Sequence, residues 1–185
     1  MTKEYPKTIS VGNEKFLLRL MEAEDRDHII EFTRSLTEAD LWFMWYDFTK
    51  PGAFDEWLKD IAQDRAKTIL ITPHDQPDKI LGFGSLHYNQ LFWNRHIGEL
   101  RVMVSSDLRG RGLGQKLARQ ITLLARQMKL EKVIVYITAS DKAARRMTDY
   151  LDFRPEAILN DWIKGRDNRN HDLLIMSINL SEVRS

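Results

Sequence analysis

The chain has 185 residues, enough for one domain of ordinary size. Charged residues make up 30 % and hydrophobic residues 43 %, a balance that fits a soluble globular fold and excludes long disorder, and basic residues exceed acidic ones by only one, so no overall charge points to nucleic acid or to an anionic membrane. There is no cysteine, which excludes a disulfide scaffold, a thiolate zinc site and a cysteine nucleophile, and suits a reducing cytoplasm.

Met1-Thr2-Lys3-Glu4-Tyr5-Pro6 carries no apolar stretch, so no secretory leader is expected, and no apolar run approaches the roughly 20 residues that span a bilayer. Phe16 to Leu20 reads as a first strand. Asp25 opens an amphipathic helix with Ile29, Ile30 and Phe32 inward. Thr37-Glu38-Ala39-Asp40 is a capping-box signal, so a second helix is expected to start there and to run through an aromatic stretch until Pro51-Gly52 breaks it. Phe54, Trp57, Leu58 and Ile61 keep helical spacing.

The period then changes. Thr68–Thr72 is short and β-branched, a strand. Ile80–Tyr88 is the next, with Gly82 and Gly84 leaving room for a close neighbour, and Ile97–Val104 is its antiparallel partner after the turn at Gln90–Arg95. Leu113, Leu117, Ile121, Leu124 and Met128 form one helical stripe. Lys132–Ala139 is a Val/Ile-rich strand, and Ala144, Met147 and Leu151 mark a short helix. Strands near Glu156–Lys164 and Asp172–Leu180 close the chain around the polar loop Gly165–Asn170. The order predicts one α/β (α+β) domain over residues 1–185, a mixed and largely antiparallel sheet flanked by helices.

The segment from Val102 to Gln115 carries the most chemistry. A strand leads into a loop with Gly110, Gly112 and Gly114, and the loop leads into the striped helix. Such a loop exposes backbone N–H groups at a helix N-terminus, where the first donors are unpaired and the dipole is positive, which makes an anion site suited to phosphate or pyrophosphate. Arg109 and Arg111 add charge. A P-loop would need Gly-Lys-Ser/Thr, but Gly114 is followed by Gln115-Lys116-Leu117. A dinucleotide fingerprint would need glycine at 115.

Arg109-x-x-Gly112-x-Gly114 resembles the acyl-CoA pyrophosphate motif of the GNAT superfamily of N-acetyltransferases. Leu151-Asp152-Phe153 resembles that family's Leu-Gly-Phe signature with Asp152 replacing glycine, and Asp172–Met176 resembles its closing strand. The resemblance implies a GNAT-like fold with two central strands splayed apart, acetyl-CoA as cosubstrate, and transfer to a primary amine of a small molecule, peptide or protein by direct attack in a ternary complex. The backbone of Val102, Met103 and Val104 would pair with the pantetheine arm, and the N–H groups of Arg109, Gly110, Arg111, Gly112, Leu113, Gly114 and Gln115 would hold the pyrophosphate. From Arg101 to Lys132 eight basic residues stand against two acidic ones, which favours a polyanionic cosubstrate.

In many members a Glu at the place of Glu99 acts as the base. Strand alternation puts Glu99, Arg101 and Met103 on one face, so Glu99 is read either as base, as partner of Arg101 in an ordinary surface salt bridge, or as a direct substrate contact. The family's acid tyrosine falls on Thr148, whose alcohol is too weak an acid. Tyr150, about 200° further around the helix, and Tyr136 on the neighbouring strand are the candidates, with a thiolate protonated by water or by the substrate as the third reading. On this pattern Thr148→Tyr would restore the family arrangement. Asp141, at the family's asparagine position, either caps the short helix or touches the cosubstrate.

His28, His74, His87, His96 and His171 lack ligand spacing, so no metal site is expected; His87 and His171 are read first as structural or surface residues, with reach into an acceptor cleft as the alternative. Leu41–Phe48 is unusually aromatic and has three readings: core packing, a wall for an apolar or cationic amine, or a homodimer contact; Phe92-Trp93 fits the same three. Nucleic acid is not expected as a partner, because the apolar residues near the arginines follow a buried stripe. The missing tyrosine motivates an alternative function, an acyl-CoA-binding sensor without turnover.

Overall fold

The computed structural model describes residues 5–48, 50–165 and 168–180. Residues 1–4 of the Met1–Pro6 segment and residues 166–167 of the Gly165–Asn170 loop lie outside the described residues. The elements run β1 (Lys7–Val11), β2 (Glu14–Leu20), α1 (Arg26–Arg34), α2 (Glu38–Leu41), α3 (Ala53–Ala62), β3 (Ala66–Pro73), β4 (Gly82–Tyr88), β5 (Ile97–Val104), α4 (Leu113–Gln127), β6 (Lys132–Thr138), α5 (Lys142–Tyr150), β7 (Arg154–Lys164) and β8 (Asn170–Asn179). All strands join one sheet in the order β1-β2-β3-β4-β5-β6-β8-β7. Every pairing is antiparallel except β5 with β6.

Alternation along the strands sorts the core onto two faces. Leu86, Leu100, Val104, Val133 and Val135 turn to α4 and α5. Leu70 and Phe83 turn to Ile29 and Phe32 of α1 and to Phe54 and Trp57 of α3. At Gly84 helix and sheet approach closely: a Cβ there would lie 2.8 Å from Ile121 Cγ1 of α4. The neighbour for which Gly84 leaves room is thus the protein's own helix.

Two expectations need correction. The first strand is preceded by β1, which reaches β2 through a two-residue turn, with Val11 opposite Glu14. Only Ile9 and Val11 of β1 pack on the core, a pattern too sparse to stand out in the sequence. The second helix has only four residues. Thr37 accepts from Asp40 N and Asp40 reaches back, so the capping box forms, but the helix stops at Leu41. Phe43 and Trp45 both lie over Arg101, and a helix would point residues two apart about 200° from each other. The packing of the aromatics therefore overrides the start signal.

The splay lies between β5 and β6. They pair at Ile97↔Lys132, Gly98↔Val133 and Glu99↔Ile134, and no pairing follows, although β5 continues to Val104 and β6 to Thr138. From Leu100 onward β5 keeps its register with β4 alone. A wedge opens in the sheet, with the glycine loop at its wide end.

Candidate active site

The loop is built to present donors. Gly110 (φ +78°) and Gly112 (φ +84°) are left-handed, and Gly112 is the N-cap of α4 without any side-chain cap. The first hydrogen bond of the helix is Lys116 N–H to Gly112 O. Among the described residues, no backbone N–H from Gly110 to Gln115 has a hydrogen-bond partner. Six consecutive donors at the positive end of a 15-residue helix form an anion cradle. The two arginines are used differently from the expectation that both add charge to the site. Arg109 donates through Nε to Val104 O (3.3 Å) and pairs through Nη2 with Asp40 (2.6 Å), and Arg111 pairs with Glu14. They tie the loop to α2 and β2, and the backbone supplies the positive potential. Asp141 caps α5, accepting from Ala143 N and Ala144 N at 2.9 Å each. Val102, Met103 and Val104 lie on the stretch of β5 that has lost β6.

Glu99 and Arg101 sit where the wedge begins. They form an ion pair, which corrects only the surface-pair reading among the three: each is 9 % exposed, because Phe43 and Trp45 cover this face of β5. The Arg101 guanidinium lies 5.6 Å from the ring centre of Phe43, 5.9 Å from Trp45 and 5.4 Å from Tyr136, which faces it across the wedge from β6. Arg101 Nε and Nη1 are buried without a hydrogen-bond partner. Burial raises the Glu99 carboxyl to about 7 against the opposing pull of Arg101. Burial, then the field of Arg101, pushes His87 down to about 4, so it is neutral near pH 7. Burial and Glu99 also hold the Tyr136 phenol above its usual value.

The aromatic segment roofs this pair. Trp45 stacks on His87 at 4.9 Å, Tyr46 stacks on Trp57 and donates to Asp60 at 2.6 Å, and Trp42 lies 4.8 Å from His171. A cleft of about 770 Å³ opens along it, lined among others by Thr33, Arg34, Trp42, Trp45, Tyr46 and Lys164. A groove of about 670 Å³ near Arg126, Arg154 and Asn179 shares no residue with the loop or with the Glu99 set. Phe92 and Trp93 are exposed at the β4–β5 turn, which removes the core reading for them. Among the described residues no three His, Asp or Glu side chains could hold a metal ion, and no helix is long and apolar enough to cross a membrane.

The acid candidates separate. Tyr136 belongs to the Glu99–Arg101 cluster. Tyr150 is 59 % exposed at the end of α5. Thr148 is fully buried, with its hydroxyl donating to Arg145 O at 2.8 Å and lying 3.1 Å from Met176 Sδ. Thr148→Tyr therefore overpacks the core instead of restoring an acid. Overpacking costs about 1–3 kcal/mol. At roughly 2–4 °C per kcal/mol for this size, Tm should drop by several degrees with no gain in turnover; thermal melts and initial rates would check it. Sequence reasoning saw Arg101 only as a partner of Glu99 and missed its burial and its aromatic surround. The signal was there in the composition of Leu41–Phe48, but nothing in the sequence tied that stretch to β5.

The model of the acetyltransferase (GNAT) family matches residues 19–153. Among solved structures, ribosomal-protein-S5-alanine acetyltransferase from Vibrio fischeri superposes with a TM-score of 0.77 at 14 % identity, covering 97 % of this chain and 100 % of the other. Ribosomal-protein-alanine N-acetyltransferase from Brucella melitensis gives 0.73 at 22 % identity, covering 88 % and 99 %. The protein yncA from Salmonella typhimurium, solved with its cofactor acetyl-CoA, gives 0.75 at 19 % identity, covering 92 % and 96 %. No curated protein matches the sequence. The structures share the fold, and the family model spans most of the chain, including the wedge, the glycine loop and α4; the chain belongs to the GNAT acetyltransferase family.

Proposed function

We propose that the protein is one acyltransferase domain that moves an acetyl group from acetyl-CoA to a primary amine by direct attack in a ternary complex, in the reducing cytoplasm that a cysteine-free chain suits. The carrying observation is the run of six unpartnered N–H donors from Gly110 to Gln115 at the open end of the β5–β6 wedge. The cradle fits a pyrophosphate, and the unpaired edge of β5 at Val102–Val104 fits an extended amide chain such as pantetheine. Bound there, acetyl-CoA supplies an activated thioester. Glu99 lies at the apex of the wedge and, with its carboxyl near 7, takes the proton from the incoming ammonium. Asp141 keeps α5 in place through its cap. The acetyl-CoA-bound Salmonella structure and the amine acceptors named for the Brucella and Vibrio proteins agree with this reading.

Calorimetric titration with acetyl-CoA, followed by a thiol-release assay over a panel of amines, tests it. Micromolar binding with turnover is expected. Binding without turnover of any amine would leave an acyl-CoA-binding module instead.

Tyr150→Phe and Tyr136→Phe should each keep most of kcat. Tyr150 is exposed at the end of α5, and phenylalanine at 136 retains the ring over Arg101. The thiolate of CoA, with a thiol pKa near about 8.5, leaves without strong help. A loss of about a hundredfold in either variant with intact acetyl-CoA affinity would identify that tyrosine as the acid.

A further inference from the structure

Arg101 has more hydrogen-bonding capacity than the protein uses. It is 9 % exposed, only its Nη2 is engaged, by Glu99, and Nε and Nη1 have no partner. A buried guanidinium donor left unpaired is costly, and three aromatic rings offer it π-faces but no lone pairs. The charge balance of the site is also incomplete during the reaction. Glu99 neutralises Arg101 while ionised; once Glu99 has taken the acceptor's proton, Arg101 is a buried cation without a counter-charge. His87 and Tyr136, the other titratable groups packed against this pair, supply none: burial and Arg101 hold His87 neutral, and burial and Glu99 keep the Tyr136 phenol protonated.

Resting on the acetyl-transfer reading above, we infer that the acceptor carries a carboxylate beside its amine, as an α-amino acid with an apolar or aromatic side chain does, and that Arg101 binds this carboxylate. The carboxylate meets the free donors with charge-assisted hydrogen bonds and supplies the missing negative charge. The space beside Arg101 is only about 10 Å³ and shares Met44, Trp45 and Tyr46 with the aromatic cleft, so the carboxylate reaches the guanidinium when the roof of Phe43 and Trp45 shifts, and the acceptor's side chain then lies along the cleft. A polyamine or a lysine side chain brings a cation and no anion to a site that already holds Arg101. A neutral amide oxygen satisfies the donors but leaves the charge.

The test compares matched acceptors with the wild-type protein: phenylalanine, phenylalaninamide and phenethylamine, then leucine against isoamylamine. Because the three ammonium groups differ in acidity, kcat/KM is compared per neutral amine; on that basis the amino acid should exceed the bare amine at least tenfold, with the amide between. Arg101→Met should bring the ratio close to one and Arg101→Lys should keep part of it; the ratio cancels any effect on Glu99. A second readout needs no turnover. N-acetylphenylalanine should quench tryptophan fluorescence saturably, because Trp45 lies over Arg101, and Arg101→Met should weaken that binding at least tenfold. A wild-type ratio at or below one overturns the inference, as does the absence of both turnover and N-acetylphenylalanine binding. Saturable, Arg101-dependent binding without turnover of any amine overturns the acetyl-transfer reading and upholds the ligand class. If Arg101→Met does not fold, the wild-type ratio and Arg101→Lys decide.

Discussion

Gly112→Val should weaken acetyl-CoA binding by at least about a hundredfold while the protein stays folded. Gly112 has φ +84° and opens α4. That conformation costs an L-residue about 1–2 kcal/mol, and a β-branched side chain tolerates it least. The space is not the obstacle, since a Cβ at 112 would meet only Gln115 Oε1 at 3.8 Å. The strain is in the backbone, and it relaxes by rotating the peptides whose N–H groups form the cradle. Hydrogen bonds to a charged group contribute roughly 1.5–3 kcal/mol each, so misaligning two of the six removes at least the ~2.7 kcal/mol that a hundredfold represents. The remainder of α4 is held by Leu117, Ile121 and Leu124 in the core, which is why the fold survives. Titration of wild type, Gly112→Ala and Gly112→Val should give a graded loss with unchanged far-UV dichroism. Undiminished affinity in folded Gly112→Val would remove the loop from the cosubstrate site.

How far the sequence reveals this site depends on how local each feature is. The stripe of α4, the three glycines and the Thr37 capping box lie within a few residues of their own signals, and the structure has all of them. Alternation on β5 likewise places Glu99 and Arg101 on one face without any tertiary information. What that face meets is a long-range fact. The roof over Arg101 comes from Phe43 and Trp45, more than fifty positions earlier, and from Tyr136 across the wedge. Composition marked Leu41–Phe48 as unusual but could not choose among core, cleft and dimer contact. The structure divides the segment, with Tyr46 and Phe48 packed against Trp57 and with Trp42 and Trp45 lining the cleft. The same limit hid the pairing of Arg109 with Asp40, which joins two motifs that read as independent. It also hid the burial of Thr148 against Met176, which turns an apparent vacancy for tyrosine into a filled core position.

Glu99→Gln should lower kcat at least about tenfold near neutral pH, the usual scale for losing acid–base help, and should change the shape of the pH profile. Burial holds the Glu99 carboxyl near 7, so in wild type the ionised, proton-accepting form grows in as pH rises through that value. The acidic limb of kcat/KM should therefore turn near 7. In the variant that limb should vanish, leaving only the titration of the free amine at higher pH. A structural role for the Arg101 pair predicts a different result, because glutamine still offers an amide oxygen to Arg101 and would then keep both rate and limb. Stability supplies an independent check. The folded value of Glu99 lies above its ordinary 4.5, so the folded state favours the protonated form. Its contribution to stability is fully present below about 4.5 and is lost as pH rises through about 7. Wild type should lose Tm over that interval relative to Glu99→Gln, which has no proton to lose. Wild-type rates and an unchanged limb near 7 in the variant would show that the base is another group, whereas loss of both the rate and the limb assigns the proton transfer to Glu99.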